Sequence, residues 1–388
     1  MADIVAIREY TRELVMATFE NRIPKALPEG IKVSDIIEVS VKGQMPYLLL
    51  NSLLKVASNS EEAEVIKRNV LFSTYKTFNQ VMAARQITEA FEKNGIRHQI
   101  LKGSIMKNLY PSPEMREMSD VDLVVYDDSL DAAARVMEEL GYTNKGLVKH
   151  HMIFTKDRSL CVEVHWCLID KSVDYKQHLH FKDNFNARLK EGFSYTYEFS
   201  IEDFYVYMIA HMAKHFFETG CGIRNLVDIY VYQKKYSDTM DAVYLGKEFD
   251  ALGIKDFEKH MREMAFIWLD GKDCHDFYNN LFEYMVDSGI YGKGENGVWS
   301  QLAKETTSNN QNVKIKFFFP SLRFMEEKYQ WLVKFPYLLP IAWLIRMVSG
   351  LFNRESKQHM EKITETNVVK TTTMLEIYHK MNLNFRKN

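Results

Sequence analysis

The sequence predicts an α/β fold, with a mixed, mostly antiparallel sheet inside residues 70–197 and helical regions at 1–69 and 198–388. Two observations set the class. The stretch MSDVDLVV alternates apolar and acidic residues with period two, which is the pattern of a strand with one face in the core. Apolar residues recur at helical spacing before it and, from Ser200 onward, in long runs after it.

Taken in chain order, Val65–Asn94 carries Val70, Phe78, Val81, Met82, Ile87 and Phe91 at helical intervals and stops at Gly95, a C-cap residue. Ile96–Leu101 reads as a short extended run closing on Gly103-Ser104. Ser104 is expected to cap a short helix, Ile105–Tyr110, which Pro111 and Pro113 end. In the following strand Val121, Leu123 and Val125 face the core, so Asp120 and Asp122 project together from the other face. Ser129–Leu140 is amphipathic and closes at Gly141. Val148–Lys156 and Ser159–Trp166 read as a hairpin turning at Asp157-Arg158. In its second strand Leu160, Val162, Val164 and Trp166 share one face, and Cys161, Glu163 and His165 share the other. Ser200 and Asp203 form a capping-box pattern opening a helix to about Thr219, and Gly220-Cys221-Gly222 separates it from Ile223–Lys235. The rest reads as helices with aromatic joints.

Composition narrows the function. Hydrophobic residues at 46% and charged residues at 26% are ordinary for a globular chain, and a formal net charge of -2 disfavours a nucleic-acid partner. The four cysteines (161, 167, 221 and 274) make neither a zinc-finger spacing nor a disulfide framework, and a cytoplasmic setting is the default expectation. The most apolar run, Phe335–Ile345, has 11 residues and two prolines, well short of the roughly 20 that span a bilayer, so no transmembrane segment is expected. Phe317-Phe318-Phe319, Tyr329-Gln330-Trp331 and Ile341–Phe352 are expected to pack in a core; a membrane or partner surface is the weaker reading of the last.

Three carboxylates on neighbouring strands, two spaced i and i+2, make an oxygen cage for hard divalent cations. A Gly-Ser turn upstream suits a phosphate, because glycine admits close backbone approach and N–H groups at a helix start donate to anions. Each part alone is weak evidence; a lone Asp-x-Asp is usually a solvated face. The order is what carries weight: Gly-Ser, short helix, strand with Asp-x-Asp, helix, then a hairpin bearing an acid.

The series LKGSIMKNLYPSPEMREMSDVDLVV with the later CVEVHW resembles the uncharacterised bacterial nucleotidyltransferase family of the DNA polymerase beta superfamily. The matching residues are Gly103, Ser104, Asp120, Asp122, and Glu163 between Val162 and Val164. The 15 residues between Ser104 and Asp120, filled by PSPEMREM, exceed the spacing of the smallest superfamily members. The likeness also takes in HMAKH and RNLVDIY and extends over about residues 70–350. It implies a polymerase-beta-like palm sheet with N-terminal helices and a C-terminal helical domain. It also implies transfer of a nucleoside monophosphate from an NTP to an acceptor hydroxyl by a two-metal mechanism, with Mg2+ or Mn2+ held by Asp120, Asp122 and Glu163. Lys102, Gly103, Ser104, Arg116 and Ser119 are the expected nucleotide-binding residues. His165, His211, His215, Arg224 and Asp228 are candidate cleft residues. His211 and His215 have zinc-ligand spacing but no accompanying HExxH, so structural histidines are the stronger reading. The acceptor stays open between a small molecule, a sugar and a protein side chain. Two other classes remain: an NTP-binding regulatory module without turnover, and a partner-binding helical scaffold.

Overall fold

The computed structural model describes residues 3–126, 129–148, 150–157, 160–171, 174–183, 187–305, 318–352 and 368–385. Four helices lead in: α1 (Ile4–Phe19), α2 (Val33–Gly43), α3 (Pro46–Ala57) and the long α4 (Ala63–Lys93). Next come β1 (His98–Ile100), the short helix α5 (Gly103–Met106) and β2 (Val121–Val125). Helix α6 (Leu130–Glu139) precedes β3 (Thr143–Val148), β4 (His151–Lys156) and β5 (Leu160–His165). Helix α7 (Tyr175–Asp183), β6 (Arg188–Leu189) and β7 (Thr196–Glu198) complete the α/β part. The remainder is helical, beginning with α8 (Ile201–Glu218), α9 (Arg224–Tyr236), α10 (Ala242–Leu252) and α11 (Lys255–Leu269). It continues through α12 (Asp276–Ser288), α13 (Gly294–Glu305), α14 (Leu322–Lys328), α15 (Leu339–Phe352) and α16 (Val368–Met381).

The seven strands form one mixed sheet in the order β3-β4-β5-β2-β1-β7-β6. β2 is parallel to β5 and β1 is parallel to β7, and the other neighbours are antiparallel. Strands β3, β6 and β7 were not expected from the sequence. The β3 side chains are all exposed and β6 has two residues, so neither shows the half-buried alternation that marks a strand.

One face of the sheet packs against α4 and α6 through Phe91, Val121, Leu123, Met137, Phe154, Val162 and Val164, all essentially buried. Each such side chain contributes about 1.5–3 kcal/mol of transfer free energy. The alternation that buries Val121 and Leu123 turns Asp122 to the opposite face, toward α8. The helical core is larger and draws on both ends of the chain: Ile7 and Leu14 share it with Trp268, Phe282 and Tyr378. Trp268 Nε1 donates to the Arg8 carbonyl at 3.0 Å, tying α11 to α1. Ser200 caps α8 as expected, its Oγ accepting from the Asp203 N–H at 3.0 Å, but Asp203 Oδ2 accepts from that same hydroxyl and not from the Ser200 N–H, so only half of the box forms.

Four local expectations are corrected. Ser104 does not cap α5; the cap position is Lys102, whose φ of 45° lies in the left-handed region, and Ser104 sits inside the first turn. In α4, Phe78, Val81 and Met82 face outward, while Ser73, Thr77, Gln80 and Ala83 are buried; close approach to the neighbouring loop favours small or hydrogen-bonding residues there. Trp166, expected on the core face of β5, lies beyond the strand's end and is exposed. On α15, Ile341, Leu344, Ile345 and Val348 are exposed, because the small cluster around Met325, Leu332 and Ala342 covers only one side of the helix. Tyr329 and Trp331 do pack against that cluster, whereas Phe317 falls outside the described residues. No described helix is long and apolar enough to cross a membrane.

Candidate active site

The parallel β2–β5 pair sets the centre of the site. Asp122 is in register with Glu163, one strand apart on the same face. His165, two residues further along β5, places Nε2 2.9 Å from Asp122 Oδ1 and 3.3 Å from Glu163 Oε2. One ligand atom from each of Asp122, Glu163 and His165 lies within 4.8 Å of the others. Asp120 sits just before β2 at the same cleft, a cavity of about 380 Å³ between the sheet and α8–α9. Lys102 reaches in from the β1–α5 turn, its Nζ 2.7 Å from Asp122 Oδ1.

The electrostatics follow from this crowding. Burial, then repulsion from Asp122 and Glu163, pushes the Asp120 carboxyl up to about 7. Burial acts on Asp122 in the same direction, but Lys102 and His165 outweigh it and hold that carboxyl well below the usual range. Glu163 is likewise lowered, with the His165 hydrogen bond overcoming burial. Lys102 stays protonated because Asp122, Tyr207 and Asp120 more than offset its desolvation. Asp122, Glu163 and His165 are the group whose ligand atoms come together closely enough to hold a metal ion; Asp120 lines the same cleft but is not among them.

The nucleotide-side candidates divide. Lys102 and Gly103 line the cleft, whereas Ser104 lines a neighbouring cavity of about 760 Å³ and its hydroxyl faces Met118 Sδ at 3.7 Å. A Cβ on Gly103 would come within 2.5 Å of Arg116 Nη1 and 2.9 Å of Met118 Sδ, so tight packing already requires glycine there. Arg116 makes a bidentate pair with Asp228, at 2.8 and 3.1 Å, and Tyr110 donates to the same carboxylate at 2.8 Å. Its guanidinium is therefore committed to a buried ion pair. Ser119 bonds Gln44 and Tyr291 at the cleft rim. Arg224 donates to Gln44 Oε1 at 2.7 Å and to the Glu117 carbonyl at 2.8 Å, while its buried Nε has no hydrogen-bond partner among the described residues.

Across the cleft, α8 presents His211 and His215, whose Nε2 atoms lie 3.2 Å apart. Burial, then Lys102 and His215, holds His211 well below its ordinary value and so neutral. Both histidines line the same cavity as the carboxylates.

Comparison with known proteins then bears on the arrangement. The chain matches the family described as "Uncharacterised nucleotidyltransferase" over residues 36–270, more than half its length. It belongs to that family. The matched span begins earlier than the likeness read from the sequence and stops before α12, so it includes the carboxylates, Lys102 and the α8–α9 residues. No curated protein and no solved structure matches the chain.

Several cleft residues of this nucleotidyltransferase family member were not singled out from the sequence: His150, His151, Tyr207, Lys214 and Tyr291, with Gln44 behind them bonding Ser119, Arg224 and Tyr291. For His151 a signal existed. The hairpin register pairs His151 with His165, so continuing the expected turn back along β4 reaches His151 opposite a residue already placed at the site. Gln44 and Tyr291 come from α2–α3 and the loop after α12, and no local pattern announces them.

Proposed function

We propose that the chain transfers a nucleoside monophosphate from an NTP to an acceptor hydroxyl, with release of pyrophosphate. The observation that carries this reading is the side-by-side placement of Asp122 and Glu163 on parallel strands, with Asp120 at the same cleft and repelled by both. Asp120, Asp122 and Glu163 would hold divalent magnesium or manganese. When bound, such ions neutralise phosphate charge and lower the pKa of an attacking oxygen.

The protein's own groups supply the rest. Lys102 carries a fixed positive charge into the cleft, and the unpaired Arg224 Nε offers a buried donor for a phosphate oxygen. Glu163, held ionised, is placed to accept a proton from the acceptor hydroxyl. Gly103 and Lys102 shape the wall on which the triphosphate would lie. Catalysis of this kind rests on positioning and charge stabilisation more than on covalent chemistry.

The test is transfer from α-labelled NTPs with magnesium to small-molecule, sugar and protein acceptors, run beside Asp122→Asn. Labelled product and pyrophosphate from the wild type alone support the reading. Metal-dependent NTP binding without transfer to any acceptor would replace it with a binding module.

A further inference from the structure

A second donor group shares this cleft wall; it has His165 in common with the carboxylate site, while the proposed transfer uses neither His150 nor His151. His150 and His151 lie at the start of β4 and His165 ends β5, and the β4–β5 register sets His151 against His165. One ring nitrogen from each of the three lies within 4.8 Å of the other two. The ring centroids are 4.9, 5.2 and 5.3 Å apart.

The surroundings leave these imidazoles short of partners. His150 is only 5% exposed, yet its Nδ1 makes no hydrogen bond among the described residues; Asp170 Oδ2, at 3.8 Å, is beyond reach. The buried His151 Nδ1 is also without a hydrogen-bond partner among the described residues, and its Nε2 stands 3.6 Å from Glu163 Oε1. A buried polar atom left unpaired is disfavoured, so each of these nitrogens has room for a partner that the described side chains do not supply.

We propose that His150, His151 and His165 hold a borderline transition-metal ion of the zinc class, distinct from the hard cation of the carboxylates. Imidazole nitrogen suits zinc, whereas magnesium takes oxygen ligands. Tetrahedral zinc with bonds near 2.1 Å needs nitrogens roughly 3.4 Å apart, so binding would draw the three rings together from the 4.8 Å within which their nitrogens lie. Three protein ligands leave a fourth position open, and His150, His151 and His165 all line the cleft where the acceptor would enter. Asp122, accepting from His165, is the carboxylate partner that would orient that metal-bound imidazole. The inference rests on the nucleotidyltransferase reading only in assigning the cleft; the imidazole site stands without it.

The full-length chain, stripped with chelator, is titrated with Zn2+ by equilibrium dialysis with metal analysis, and with Co2+ by visible absorption. One equivalent of Zn2+, with the intense visible bands of four-coordinate Co2+, is expected. His150→Gln and His151→Gln, checked for folding by circular dichroism, should each weaken Zn2+ by at least about tenfold, the loss common even for an outer partner of a ligand. Asp120→Asn should retain Zn2+ while losing magnesium-dependent NTP binding. Absence of stoichiometric Zn2+ binding, or binding unchanged in both folded glutamine variants, overturns the inference. Loss of NTP binding in Asp120→Asn beside absent Zn2+ binding would remove the imidazole site and leave the transferase reading in place. The reverse result would do the opposite.

Discussion

Replacing Asp120 with asparagine is expected to stabilise the metal-free protein, in a way that depends on pH. The carboxyl is pushed from an ordinary 3.8 to about 7 by burial and by Asp122 and Glu163. A group whose folded pKa lies above its unfolded one binds its proton more tightly in the native state, so native stability falls as pH rises between those values. At about 1.4 kcal/mol per pH unit, the penalty has a ceiling near 4 kcal/mol at pH 8 and is about 1 kcal/mol at pH 4.5. Asp120 is partly exposed and shares its titration with its neighbours, which brings the expected gain at pH 8 to about 2–4 kcal/mol. The side chain keeps its size, so packing is unchanged. Asp122 titrates below this window. His150 and His151, lowered chiefly by burial, give the opposite slope in both proteins, so the difference between them reports Asp120 together with the carboxylates that titrate with it. Urea unfolding of wild type and variant in chelator at pH 4.5 and pH 8 makes the measurement. A variant less stable than wild type, or a difference that does not grow with pH, would refute the account of a repelled carboxylate cluster. Added magnesium should then stabilise wild type more than the variant.

Other perturbations test neighbouring parts of the site. Asp122→Asn should cost roughly a hundred- to thousandfold in transfer rate, read with labelled NTP, since it removes charge aimed at the transition state. Lys102→Met removes the ammonium from the buried Asp122 and leaves it the His165 hydrogen bond; a loss of about 2–4 kcal/mol in chelator, partly restored by magnesium in a thermal shift assay, is expected. Arg116→Ala and Asp228→Ala should each destabilise by about 3–5 kcal/mol, with strong coupling in a double-mutant cycle. A folded Arg116→Ala protein with sharply weakened NTP binding would return Arg116 to the phosphate site. Gly103→Val should lower stability by about 1–3 kcal/mol even without nucleotide, because its branches meet Arg116 and Met118; an unchanged melting temperature would contradict that packing.

The sequence by itself determined the strand that carries Asp122, the opposing acid at Glu163 and the helices around them. Their signals are local: period-two alternation, a capping box, glycines at helix ends. It also made His211 and His215 visible by spacing alone. What it left open is who touches whom. Arg116 looked like a phosphate ligand because a motif-flanking arginine has that chemistry, yet Asp228, 112 residues away, takes its guanidinium. Ser104 looked like a cap, but the backbone turns one residue pair earlier at Lys102, where a left-handed φ brings the ammonium onto Asp122. The histidine triangle needed the β4–β5 register, and the parallel β2–β5 pairing that joins Asp122 to Glu163 spans the intervening helix and hairpin. Such contacts come from the closure of distant chain segments, whose free energy lies in the common core and not in any short stretch of residues. Only the tertiary structure therefore decided which charges are paired, which are repelled, and which nitrogens are left waiting for a ligand.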